Sequence, residues 1–133
     1  MEQIVVGGLL LWGDRVLLVK RATSRAFYPG VWDIAGGHSE DGETAEQTLV
    51  RELGEELGIV PIGYRRLAIF PVLGGSPVEK LPLHVYCVTH WSGTPSNLQS
   101  HEHSEIAWVP LTEVDKLEMA SPDVRALLKS ILN

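Results

Sequence analysis

One cysteine, Cys87, is all that 133 residues contain. A lone thiol excludes an internal disulfide and fits a reducing compartment. Long apolar runs are missing as well. The longest near the start, Ile4–Trp12, is nine residues and includes two glycines. A bilayer needs about 20 apolar residues, so no membrane span is expected. The residues ahead of that run include Glu2 and no Lys or Arg, which is wrong for a secretory signal. No basic stripe stands out, which argues against a nucleic acid polymer as partner. Repeats, low-complexity tracts and linkers are absent too. What is there is ordinary globular composition, 44% hydrophobic and 21% charged. The length suits a single domain, 1–133, at roughly 150 residues per domain. A soluble, cytoplasmic protein is expected.

The charge becomes informative once it is located. The formal net charge is −6. Seven acids lie between residues 40 and 56: Glu40, Asp41, Glu43, Glu46, Glu52, Glu55 and Glu56. Arg51 is the only base among them, and the rest of the chain is neutral. An even coat of charge serves solubility. A local knot of carboxylates suggests that something cationic belongs there.

The elements follow from patterning. Ile4–Trp12 and Val16–Val19 read as strands joined by a Gly13-Asp14 hairpin turn. Ala22–Gly37 reads as a long loop that carries Phe27, Tyr28 and Trp32. Thr44–Leu57 has a helical pattern ended by Gly58. Ile62–Leu73 and Leu81–Trp91 read as strands around a Gly74-Gly75-Ser76-Pro77 turn, and Trp91–Ser104 as a polar loop. Ile106–Val109 is a short strand, and Thr112 can cap a turn through Leu117. Ser121-Pro122-Asp123 opens a last helix to about Leu132. Trp12, Trp91 and Trp108 are assigned to core or rim packing, and Cys87 to the core. Strands before and after a helix predict a mixed sheet with helices packed on it.

On a wheel of about 100° per residue, Glu52, Glu55 and Glu56 fall within one arc of about 100°. Leu49, Val50, Leu53 and Leu57 form the neighbouring apolar stripe. The acids should therefore sit at the rim of a cleft against the sheet. Carboxylates at i, i+3 and i+4 repel one another, and the helix C-terminus disfavours negative charge. A hard divalent cation with oxygen ligands relieves both penalties. A plainly solvated acidic face is the alternative, and it is the reading given to Glu40, Asp41 and Glu46. Arg51 can restrain Glu55 or reach back to Glu43.

Gly37-x5-Glu43-x7-Arg51-Glu52-Leu53-Gly54-Glu55-Glu56-Leu57-Gly58-Ile59 resembles the Nudix box at every specified position, over residues 37–59. Trp-Asp-x-x-Gly-Gly ahead of the box and the strands and helix after it also fit that family. The resemblance implies an α/β fold, an α/β/α sandwich with a mixed β-sheet between helices. It implies Mg²⁺, or Mn²⁺ in its place, on Glu52, Glu55, Glu56 and the Gly37 carbonyl. It makes Glu43 and Arg51 the pair that braces loop against helix. The implied reaction is hydrolysis of a diphosphate linkage in a nucleoside diphosphate derivative. Divalent ions suit it, because they clamp phosphates and lower the pKa of water. Glu55 or Glu56 can act as base, and on a later loop Glu105 is preferred to Glu102. Ala35 stands where many MutT-like members have proline, and no sequence mark selects a substrate subclass.

Arg21 is the candidate phosphate or sugar contact, and a solvated strand end is its alternative. Phe27, Tyr28 and Trp32 can stack on a base or cover the sheet edge. His38 can touch phosphate. His101-Glu102-His103 looks like a metal cluster by eye, but alternation on a polar loop reads as solvated. The expected partner is a small nucleotide, with a homodimer left open. The expected activity is Mg²⁺-dependent hydrolysis of a diphosphate linkage in a nucleoside triphosphate or another nucleoside diphosphate derivative. The alternatives are ADP-ribose or nucleotide-sugar cleavage, and a nucleotide-sensing module without catalysis. All the box glutamates are present, which favours the enzyme.

Overall fold

The structure is a computed structural model that describes residues 2–26, 28–73 and 80–131. Its strands are β1 (Val5–Trp12), β2 (Arg15–Arg21), β3 (Trp32–Asp33), β4 (Ala35–His38), β5 (Val60–Leu73), β6 (Lys80–Ser92) and β7 (His103–Pro110). Its helices are α1 (Ala45–Leu57) and α2 (Pro122–Ile131). No helix among the described residues is long and apolar enough to cross a membrane.

The seven strands form one mixed sheet whose main path runs β3-β2-β1-β6-β5. β1 lies parallel to β6, with Val5 opposite Leu83 and Leu10 opposite Val88. Its other edge is shared. Val5–Gly8 pair with β4, and Leu11–Trp12 pair with β2 across the Gly13-Asp14 hairpin. The sheet forks along β1, with β4 on one branch and β2, β3 and β7 on the other.

Alternation along the strands makes two cores. Val6, Leu10, Leu17 and Val19 face α1 and its Leu49, Leu53 and Leu57. Leu9, Val16, Leu18 and Val85 face the other way, against Val114, Val124 and Leu128. Burying a leucine of this kind stabilises the fold by about 1.5–3 kcal/mol. Cys87 is buried as expected. The tryptophans form a rim cluster: Trp108 stacks on Trp91 at 5.9 Å and meets Trp12 edge-on at 5.5 Å.

Several expectations need correction. The 22–37 loop contains β3 and β4, because Trp32–Asp33 pair with β2 and Ala35–His38 with β1. Val50 is exposed, so the apolar stripe of α1 is narrower than the wheel suggested, and Thr48 and Glu56 are buried beside it. Thr112 caps nothing: the 3₁₀ turn Leu111–Lys116 begins after Pro110 with no side-chain cap. Strand β7 starts at His103 rather than Ile106. Ser121 does cap α2, its Oγ accepting from Val124 N at 3.2 Å. Phe27, the 74–77 turn and Leu132 lie outside the described residues.

Candidate active site

The site is assembled around α1. Thr44 and Gln47 form a reciprocal capping box: Gln47 N donates to Thr44 Oγ1 at 3.1 Å, and Thr44 N to Gln47 Oε1 at 2.9 Å. Gly58 ends the helix in the left-handed conformation, φ 73°. Between these caps the helix turns Glu52 and Glu56, four residues apart, toward the strand β4 that precedes it.

Two glycines of β4 allow that approach. A Cβ on Gly36 would meet Val6 O at 1.9 Å, so only glycine lets β4 lie against β1 there. A Cβ on Gly37 would stand 2.6 Å from the Glu52 carboxylate, in space that carboxylate uses. Gly36 N donates to Glu56 Oε2 at 2.7 Å.

Arg51 organises the outer half of the cluster. Its Nε and Nη2 donate to Glu43 at 2.7 and 2.9 Å, a two-point grip. Its Nη1 reaches Glu52 at 2.9 Å and Glu55 at 3.2 Å, and its Nη2 also donates to His38 O at 2.9 Å. Both alternatives for Arg51 therefore hold at once. Glu40, expected to be only solvated, lies 3.1 Å from the Arg51 Nε. Asp41 and Glu46 are exposed as expected.

The carboxylates respond to these surroundings in opposite directions. The Arg51 hydrogen bonds pull Glu43 down to about 2. Burial raises Glu52 despite the same arginine. Burial, and then the neighbouring charge of Glu52, push Glu56 up to about 9. Glu55 is half exposed.

A cavity of about 480 Å³ opens onto Glu52 and Glu56. Arg21, Tyr28, Gly37 and His38 line it. Tyr28 sits at φ 51°, and its carbonyl accepts from Arg21 Nε at 3.2 Å. Trp32 does not line it. Its ring packs into the core beneath α2, with Lys20 Nζ 5.8 Å from the ring centroid. The sheet-covering alternative is the one that holds for Trp32. Glu105 is exposed on β7 opposite Lys20, and it is Glu102 that faces the cavity. The preference between these two glutamates is reversed.

Three lining residues escaped the sequence reading. Arg25 brings a second guanidinium beside Arg21. Asp33, raised to about 6 by burial, takes Ile34 N on Oδ1 at 2.8 Å. His103 is buried rather than solvated, and its Nε2 stands 3.3 Å from Glu56 Oε1. Burial lowers its pKa while Glu56 rises, so both shifts run away from an ion pair. Donor atoms of Glu56, Glu102 and His103 lie within 4.8 Å of one another. A buried and a partly buried carboxylate, both with raised pKa values, and a third acid facing them suit a divalent cation.

Comparison with known proteins agrees with this geometry. The family model described as NUDIX domain matches residues 1–130. The CTP pyrophosphohydrolase of Escherichia coli strain K12 is 31% identical, with 96% of this chain and 90% of that protein covered. The 8-oxo-dGTP diphosphatase of the same organism is 31% identical over 97% of both. A crystal structure of a MutT NUDIX hydrolase from Burkholderia pseudomallei superimposes with a TM-score of 0.80, at 26% identity over 96% of this chain and 95% of that one. The chain therefore belongs to the NUDIX family, and it is a hydrolase of its MutT-like, pyrophosphohydrolase type.

Proposed function

We propose that the chain, as one Nudix domain with its box at 37–59, hydrolyses a phosphoanhydride bond of a nucleoside triphosphate with Mg²⁺, or Mn²⁺ in its place. The observation that carries this reading is the pairing of Glu52 and Glu56 on the wall of a cavity that Arg21 and Arg25 also enter. Acid for cations and guanidinium for phosphate then stand in one space. A volume of about 480 Å³ lies within the usual range for small-molecule sites, about 300–1,000 Å³. The relatives named for CTP and for 8-oxo-dGTP support a triphosphate over a nucleotide sugar.

Glu52, Glu56, Glu55 and the Gly37 carbonyl would hold the divalent ions, with Glu102 completing the acidic wall. Bound there, the ions neutralise phosphate oxygens and acidify water. Arg21 and Arg25 bind the remaining phosphate charge. Tyr28 and His38 border the nucleotide. A water oxygen attacks phosphorus, the bridging P–O bond breaks, and one proton passes to a carboxylate. Glu102 takes over the later-loop role expected of Glu105, because it alone of the two faces the reacting groups.

Chromatographic separation of cleavage products over nucleoside triphosphates, ADP-ribose and nucleotide sugars tests this, run with Mg²⁺ and with chelator. Turnover of one or more triphosphates, lost on chelation, is expected. Turnover that survives chelation overturns the metal assignment. Preference for ADP-ribose overturns the substrate class. Nucleotide binding without turnover makes the chain a sensor.

A further inference from the structure

Glu56 is the most deeply buried acid of the site, and one backbone amide among the described residues, just ahead of the box, donates to one of its oxygens. Gly36 N holds Oε2 at 2.7 Å. Facing Oε1 is the imidazole of His103, at 3.3 Å from Nε2, with both side chains almost wholly buried. We propose that His103 is a positioning residue of the hydrolytic site: its Nε2, 3.3 Å from Glu56 Oε1, and the Gly36 amide on the other oxygen together hold that carboxylate in place for the cation. The inference rests on the metal-dependent reading given above.

Three observations carry it. The first is how firmly the backbone of His103 is held. Its N–H donates to Gln99 O at 3.0 Å, and its carbonyl accepts from Asn97 Nδ2 at 2.7 Å. It also pairs with Arg21 at the irregular end of the β2–β7 ladder. A ring on such a backbone stays where it is put.

The second is the other ring nitrogen. Nδ1 is buried and has no partner among the described residues. An N–H placed there would be a buried donor with nothing to receive it, which costs about 1–3 kcal/mol. A bare lone pair at Nδ1 is the lesser penalty, so once Glu56 is ionised, as a bound cation requires, the neutral ring carries its proton on Nε2, the nitrogen that faces it.

The third is that, among the described residues, no other donor reaches that oxygen. Arg51 serves Glu43, Glu52 and Glu55 and does not reach Glu56. Without His103, one oxygen of Glu56 would have no donor among the described residues to orient it. Partners of this kind, which hold a ligating carboxylate in place, typically matter about 10–100-fold in activity or metal affinity.

The test compares His103→Leu, which fills the space without a donor, with His103→Gln, whose amide nitrogen can return an N–H to nearly the same place. Steady-state kinetics on the best triphosphate of the screen should show kcat down about 10–100-fold in the leucine variant. KM should stay within about 2-fold, and the glutamine variant should recover most of kcat. Mn²⁺ binding to the nucleotide-free protein, followed by electron paramagnetic resonance, should weaken about 10-fold in the leucine variant and much less in the glutamine variant. Thermal melting should leave both folded. Wild-type kcat and wild-type Mn²⁺ affinity in the leucine variant overturn the proposal. So does a glutamine variant as impaired as the leucine one, because the imidazole would then act in a way that an amide donor cannot replace. If the wild type turns over no triphosphate, it is the substrate reading that fails, and the Mn²⁺ arm still decides the role of His103.

Discussion

Glu43 and Glu56 belong to one charged run, yet their protons behave as though they came from different proteins. Glu43, gripped twice by Arg51, falls to about 2. Glu56, turned inward with one amide and one imidazole for company, rises to about 9. At the outer end both oxygens of Glu43 and one of Glu40 are answered by the Arg51 guanidinium. The inner end is left short of positive charge. The difference teaches that stability and function are divided along the segment. Glu40, Glu43 and Arg51 fasten the loop to the helix, while Glu52 and Glu56 remain open to a partner from outside the chain.

The sharpest way to break this comparison is to neutralise one acid at each end. Glu56→Gln should lower kcat roughly a thousandfold, the rate equivalent of about 4 kcal/mol. Glu40→Gln should leave kcat within about 2-fold, since surface pairs of this kind contribute little. Similar losses in both would erase the division.

A smaller effect is expected from the floor of the site. Gly37→Ala places a methyl where the Glu52 carboxylate lies. The atoms it meets are the end of a flexible side chain, so the fold should survive while Glu52 is displaced. A shift of about 1 Å can cost about 100-fold in rate. Circular dichroism and kinetics together check this. Gly36→Ala is the contrast, because its methyl meets the backbone of β1 and should reduce the yield of folded protein.

Arg51→Ala tests the outer end by stability. Losing the guanidinium strands several hydrogen-bonded carboxylates at once. Tm should fall by roughly 4–8 °C, the shift that about 1–2 kcal/mol gives in a domain of this size. An unchanged Tm would mean that the brace is decorative.

The smallest effect is a slope with pH. Glu56 has an ordinary value of 4.5 and is raised to about 9 in the fold. Between those limits the native chain binds a proton that the unfolded chain has released, so stability falls as pH rises across that window. Glu43 runs the other way. Its contribution is complete above 4.5 and is lost as pH falls toward 2. Melting curves in chelator should show Tm declining from about pH 5 to 9. Mg²⁺ should flatten or reverse that decline by favouring the ionised carboxylate. A Tm that rises through the window in chelator would contradict the buried, protonated state of Glu56.

The box itself was legible because its parts are local. Helix period, caps and the i, i+4 spacing of Glu52 and Glu56 all act within a few turns of chain, and the structure returns them almost unchanged. Misreadings begin where distance along the chain stops measuring distance in space. Val50 looked like core on a wheel, but the strand floor beneath α1 is too narrow to cover it. His103 looked solvated because its neighbours are polar. Its burial depends on β7 pairing with β2 and on the reach of α1, which no local pattern records. Glu102 and Glu105 differ only in which side of a strand entrance they leave by. Asp33 lies on β3, whose place is set by its pairing with β2, and Arg25 on the stretch that leads to it. Glu40 was missed for a simpler reason: a single base in a run of acids can serve more than two of them.

The fork along β1 has a consequence for the order in which the protein is made. Val5–Gly8 hold the glycines of the box from one side and pair with Leu83–Tyr86 on the other. The box is complete once residue 59 has been synthesised, but its floor is not. The strand that closes the floor comes near residue 83, and the histidine that faces Glu56 comes at residue 103. Pairings this far apart in the chain form slowly, because a long loop must close before they are rewarded. A nascent chain would carry the whole metal-binding motif for some time before it had a site, and a product truncated before β7 would keep the motif and lack the enzyme.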